Sequence, residues 1–358
     1  MSPDKNILIF RPGSIGDTII SLPALHAIRR FYGINSHITL AHELAPSKEI
    51  APDSILSNHT CVDEFICYVK SNSLICRIKY FKKIREKKFD VVIYLVPSRW
   101  NPILLELDRF FYTLVGIKKK IGFVKFSKLY IYPEDSSGRP AKVKHESLFL
   151  LDRLLGSGIT NNDDFIHPNF DIELSESELE NGGNWLEKYN LNQNKYLIAI
   201  APGTNQPANQ WPEDRFSLLG SKLLEDYKCE LIVIGGQKDF QIAELLINYW
   251  GTGINATGIS SPRISAALLK FCKIFIGLDS GPLHLAMSVG IPTVSLFSDR
   301  DNPGRWHPLG KEHKVIRKSV KCGGCRKKIC PLPGHPCMNN IYVDEVIENI
   351  KLLLSTEK

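Results

Sequence analysis

Two places in this 358-residue chain join a short apolar run to a glycine-marked turn that opens a helix, and that combination admits few folds. One is Ile7-Leu8-Ile9-Phe10, which runs into Arg11-Pro12-Gly13-Ser14-Ile15-Gly16-Asp17 and then a helical pattern of Ile19, Ile20, Leu25 and Ile28. The other is Ile274-Phe275-Ile276, which runs into Gly277-Leu278-Asp279-Ser280-Gly281-Pro282 and a helix carrying His284. Similar apolar runs near 37–41, 91–95, 196–201, 230–234 and 292–296 predict strands alternating with helices, the rhythm of parallel α/β sheets. A polar, acidic stretch from Thr160 to Asp171 reads as a linker. The expected architecture is two doubly wound Rossmann-like domains, 1–170 and 171–358, facing each other across a cleft. Ligands in such sheets bind beyond the C-terminal strand ends, where both turns lie.

The chemistry of the two turns differs. At Ser280-Gly281, free N–H groups at the positive end of a helix suit a phosphate or pyrophosphate. At Gly16-Asp17 the lysine of a phosphate-binding P-loop is replaced by an acid. A carboxylate there repels phosphate and suits a proton acceptor, or else it caps the helix. Further strand-end turns occur at Gly203-Thr204-Asn205, at Gly235-Gly236-Gln237-Lys238-Asp239 and at Asn255-Ala256-Thr257-Gly258.

Charge is uneven. Residues 1–150 hold 23 Lys and Arg against 14 Asp and Glu, +9, whereas the whole chain carries +7. Clusters at 79–88 and 118–128 suit an anionic membrane surface or a phosphorylated acceptor, or form a solvated helix face. No nucleic-acid motif accompanies them. No run reaches the roughly 18 apolar residues of a membrane span, so a cytoplasmic protein is expected. Five scattered cysteines fit a reducing compartment. Cys322, Cys325, Cys330 and Cys337 are grouped in a Gly/Pro/Lys-rich loop, where zinc, a disulfide clip or free thiols are all compatible with the spacing.

Taken in order, Gly16-Asp17, the Gly203-Thr204-Asn205 turn, Trp211-Pro212 and Asp279-Ser280-Gly281 with His284 closely resemble glycosyltransferase family 9, the heptosyltransferases of the lipopolysaccharide inner core. The resemblance runs nearly end to end and includes the cysteine loop and the last helix, about 343–354. It implies a GT-B fold whose first domain binds the acceptor and whose second binds a nucleotide sugar, with the last helix packing back toward the first. It also implies inverting, metal-independent transfer from ADP-heptose, with no cofactor beyond a structural zinc at most. Asp17 is then the catalytic base, with Arg11, Ser14 and Gly16 on the acceptor or phosphate side. Gly203, Thr204, Asn205, Asn209, Gln237, Thr257, Asp279, Ser280, Gly281 and His284 form the donor side. The acceptor is expected to be a lipid-linked anionic oligosaccharide at the inner face of the inner membrane, reached by a peripheral protein, and its contacts to come from loops such as 43–60 and 97–128. One departure stands out: the family commonly has Lys where this chain has Asn209. An amide meets diphosphate charge less well than a lysine. Arg11, Arg215 and Arg263 are the candidate substitutes; otherwise the donor differs, or the protein binds a nucleotide sugar without turnover.

Overall fold

A computed structural model describes residues 4–44, 52–69, 74–192, 194–259 and 261–355. The chain divides into two compact units, residues 1–131 with 144–173 and residues 132–143 with 174–358. Residues 45–51, within the loop expected to touch the acceptor, lie outside the described residues.

The first unit contains β1 (Asn6–Phe10), β2 (His37–Leu44), β3 (Glu64–Val69), β4 (Val91–Tyr94) and β5 (Lys119–Ile121), ordered β3-β2-β1-β4-β5 and all parallel. Helices Ile15–Ile20 and Leu22–Tyr32 follow β1, so the single helical pattern of the sequence is broken at Ser21. Ile7, Leu8 and Ile9 are wholly buried, as a strand covered on both faces requires. The acidic stretch read as a linker is not one: Asn162–Ile166 is a helix, and Arg30 clamps Asp164 with two 2.7 Å bonds. Its acids cap and pair rather than solvate a free chain.

The second unit contains β6 (Tyr196–Ala201), β7 (Cys229–Gly235), β8 (Ile254–Thr257), β9 (Ile274–Leu278), β10 (Thr293–Phe297) and β11 (His313–Arg317), ordered β11-β10-β9-β6-β7-β8 and again parallel. Helix Val343–Ser355 ends the described chain and buries Val346 and Ile350 in the core shared with Trp211, Phe216 and Leu296. Residues 132–143 belong to this unit: Asn302 donates to the Pro133 and Ala141 carbonyls at 2.8 and 3.0 Å, and Val143 N donates to Pro303 O at 2.9 Å.

Strand order reverses between β1 and β4 in the first unit and between β6 and β9 in the second. At such a switch point the flanking loops part and leave a crevice at the strand ends.

Candidate functional site

At the β1/β4 switch point, Arg11 leaves β1 directly inward. Its guanidinium is buried, donates to the Leu95 carbonyl at 3.1 Å beyond β4, and also bonds the Asp17 carbonyl. Burial pulls its pKa down, opposed by the charges of Asp17 and Glu146. Arg11 is thus engaged within the first unit as a structural cation. Asp17 sits in the first turn of its helix, about three-quarters buried, with Oδ2 accepting from Ser14 N at 2.8 Å and Ser14 Oγ at 2.9 Å. Oδ1 faces Arg11 at 3.7 Å. The capping reading of this acid is met by one oxygen, which closes a capping box, while the other is left beside a fixed positive charge. Gly13 makes the turn possible, because a Cβ there would lie 2.5 Å from Asp17 Cβ and φ is +151°.

Two charged residues that sequence reasoning passed over hold the same strand ends. Arg153 is buried and donates to the carbonyls of Val96, Pro97, Gly122 and Val124 at 2.8–3.1 Å, and burial pushes its pKa down to about 10. Glu146, also buried, accepts from Ser98 N and Oγ. A charged residue flanked by apolar ones in 146–154 was the available signal.

At the β6/β9 switch point amides, hydroxyls and carboxylates take the place of guanidinium groups. Gly203 begins the turn after β6, and a Cβ there would come 2.1 Å from the Asp239 carboxylate. Asp239 in turn accepts from Gly236 N at 2.9 Å. Thr204 Oγ1 accepts from Gln206 N at 3.1 Å. Asn209 is buried and binds three strand ends together: its amide donates to Asp279 Oδ2 at 3.1 Å and its oxygen accepts from Ser298 Oγ at 2.5 Å. Both polar ends of Asn209 are engaged by protein, which makes it a brace of the pocket. Beyond β9, Ser280 is the N-cap of helix Gly281–Ser288, yet its hydroxyl makes no capping bond and is buried without a partner. Pro282 takes the second helical position, and His284 is buried one turn in. Thr257 at the end of β8 gives its hydroxyl to Asn255 at 2.6 Å, and Gln237 stands exposed above Gly258.

The other proposed cations are also held elsewhere. Arg215 donates to the carbonyls of Asn339 and Ile341, and Arg263 is forked onto Glu178, whose pKa that pair lowers to about 2. Lys238, exposed beyond β7, is a cation that does meet the turn after β6, with its ammonium on Asn205 Oδ1. Its place in the turn after β7 was legible, but no role was drawn from it. Trp211 is a packing residue: it is wholly buried, donates to Ile341 O at 3.0 Å and meets Phe216 edge-on.

The four grouped cysteines are free thiols that line one small cavity with Asp299 and Ala208. Among the described residues, ligand atoms within 4.8 Å of one another occur instead at His26/His59/Cys61 and His42/Asp53/Cys67, so the grouped sulfurs do not fit a metal as they stand. In the first of these sets every ring nitrogen is engaged: His26 and His59 both reach Asp171 O, and Cys61 meets the other nitrogen of each.

Comparison with known proteins agrees with this architecture. Residues 77–335 match the model of glycosyltransferase family 9 (heptosyltransferase). A lipooligosaccharide heptosyltransferase 2 of Campylobacter jejuni is 26% identical over 169 residues, 46% of this chain and 53% of that protein. The chain thus aligns with about half the length of that relative. Among solved structures, a family 9 glycosyltransferase from Veillonella parvula superposes with a TM-score of 0.75 at 22% identity, covering 100% of this chain and 99% of the other. The E. coli ADP-heptose lps heptosyltransferase II gives 0.71 at 19% identity, covering 98% and 99%. Both share its two parallel-sheet units, the GT-B fold. With more than half its length matched by the family model, this chain belongs to glycosyltransferase family 9.

Proposed function

We propose that the protein transfers a heptose from ADP-heptose to the core oligosaccharide of a lipopolysaccharide or lipooligosaccharide, with inversion and without a metal. The observation that carries this reading is the pair of switch points: a carboxylate beside a buried guanidinium in one unit, and a turn of amides, a helix end and one lysine in the other. In this mechanism Asp17 Oδ1 takes the proton of the acceptor hydroxyl as that oxygen attacks the anomeric carbon. The C–O bond to the diphosphate breaks from the opposite face, and the leaving charge falls on the Gly281 helix end, the Thr204-Asn205 turn and Lys238.

Magnitudes limit each part. A helix end contributes about 0.3–1 kcal/mol when exposed and up to ~2 kcal/mol when partly buried. The barrier must fall by roughly 8 kcal/mol or more, so converging donors and orientation of the two substrates do most of the work. The names of the relatives, heptosyltransferases of lipooligosaccharide and lipopolysaccharide, support the sugar and the acceptor class. Peripheral attachment to the cytoplasmic face of a membrane belongs to the same reading.

The test is differential stabilisation by ADP, UDP and GDP, followed by incubation with the matching nucleotide sugars and a core acceptor and weighing of the products. A bound nucleotide raises the melting temperature according to its affinity. ADP is expected to stabilise most, with a product heavier than the acceptor by one heptosyl residue. Preference for UDP or GDP would overturn the donor, and nucleotide binding without any product would overturn the transfer.

A further inference from the structure

Helix Pro102–Val115 is apolar on two opposite sides. Its inner side buries Leu105, Tyr112 and Val115 in the core of the first unit. Its outer side shows Ile103, Leu107, Phe110 and Leu114, which are 71%, 57%, 61% and 57% exposed. At about 100° per residue these four positions fall in one narrow stripe, opposite the buried set. Single exposed apolar residues are ordinary, but four in a line on one helix mark a surface that meets something.

The borders of the stripe are basic. Lys125 lines one depression with Ile103, Leu107 and Phe110, and Arg85, Lys88 and Lys118 border another with Val115 and Gly116 at the opposite end. The neighbouring helix Leu74–Glu86 packs through Tyr80 and Phe81 on Phe111, and it exposes Ile75 and Ile78 together with Lys79, Lys82 and Lys83. Residues 74–128 carry fourteen Lys and Arg against four Asp and Glu, +10, more than the net charge of the entire chain. Of the acids, Glu106 is engaged by Lys125 and Arg109, and Asp108 accepts from Tyr94.

We propose that this face, the outer stripe of helix Pro102–Val115 with the basic residues around it, lies in the interface of an anionic lipid bilayer. An apolar stripe rimmed by Lys and Arg is the pattern that inserts shallowly among acyl chains while its cations meet anionic headgroups. Pairing with a second copy is disfavoured by the same charges, since a two-fold contact through this face would set like charges against like. No described helix is long and apolar enough to cross a membrane, so the contact is one of lying on the surface. The proposal deepens the reading of a lipid-linked acceptor given above, and it names the segment that brings the first unit to that acceptor.

The experiment is co-sedimentation of the full chain with vesicles of phosphatidylcholine alone and of phosphatidylcholine with phosphatidylglycerol, at low and high salt. Wild type is expected on the anionic vesicles and to leave them as salt rises. Replacing Leu107 and Phe110 together by Glu is expected to weaken binding at least about tenfold, and Lys118→Glu with Lys125→Glu by about 25-fold, from roughly fivefold per lysine. Ile34→Glu, an exposed apolar site elsewhere on this unit, serves as control and should bind like wild type. Equal binding by wild type and the Leu107/Phe110 double variant overturns the proposal, as does equal binding to neutral and anionic vesicles. A dimer of the free protein that the double variant dissociates would overturn it in favour of a second copy. Stabilisation by ADP is measured on the same samples: if ADP fails to stabilise wild type, the donor reading falls while the vesicle result stands or falls separately.

Discussion

The two sheets end in opposite ways. In the first unit, buried guanidinium groups reach from Arg11 and Arg153 to the strand-end carbonyls, and Asp17 sits against one of them. In the second, amides, hydroxyls and small backbones meet beyond the strands, braced by Asn209 and the carboxylates of Asp239 and Asp279, with the exposed positive charge left to Lys238. A fixed cation inside the wall holds one carboxylate oxygen 3.7 Å from its guanidinium, where that oxygen stays clear of the capping box. Neutral donors with a helix end leave room for an incoming anion and suit a departing diphosphate. Similar topology thus yields a carboxylate beside a fixed cation in one unit and hydrogen-bond donors at a helix end in the other.

The sharpest break of that contrast is Asp17→Asn. The amide still caps the helix but takes no proton, so turnover measured by product mass should fall about 10²- to 10⁴-fold while ADP stabilisation stays at the wild-type level. Loss of nucleotide binding in this variant would undo the division of labour. Next in size is Arg153→Met. It strands four buried carbonyls, and the first unit should lose about 3–5 kcal/mol in urea unfolding; a change under about 1 kcal/mol would mean that the guanidinium does not hold the strand ends.

The second unit has its own acid sensitivity. His307 is pushed down to about 4 by burial, then by Arg317 and Lys142. Its unfolded value is about 6.5, so below that pH the unfolded chain takes up the proton first and stability drops as pH falls from 6.5 to 4, by up to about 3 kcal/mol. His307→Gln should flatten urea midpoints across that window, and an unchanged slope would refute the assignment. Smallest is the pair Asn209→Ala and Lys238→Ala. Loss of the brace should weaken ADP by about tenfold or more, and loss of the lysine by about threefold, with adenosine binding unaffected by the lysine change. If adenosine weakens equally with ADP in Lys238→Ala, the ammonium does not meet phosphate.

How much of this was readable beforehand follows from position in the sheets. The interior strands, β1, β2, β4, β6, β7, β9 and β10, are apolar runs because both faces are covered, and they were legible as such. The strands that escaped notice, β3, β5 and β11, are sheet edges, and of the fourth edge, β8, only the turn at its end was read. Lys119-Lys120-Ile121 and His313-Lys314-Val315-Ile316-Arg317 carry charge because an edge is partly solvated and must discourage stray pairing. At the site, Asp17 and the Ser280-Gly281 turn were visible because glycine and proline punctuate them. The engagement of Arg11, Arg215 and Arg263 was not, since nothing local in a sequence shows which carbonyl or carboxylate a long side chain will find. The same holds for Asn209, whose partners are 70 and 89 residues away.

The excursion of residues 132–143 into the second unit has a consequence for biosynthesis. A ribosome releases this segment before almost all of its partners exist: Asn302, Arg305 and Arg326, which grip Pro133, Ala141 and Tyr132, come more than 150 residues later. The nascent chain must therefore close its first sheet around a loop held in waiting. A fragment cut to begin at Leu174 would leave the amide of Asn302 and the two guanidinium faces without the strap they were shaped to hold.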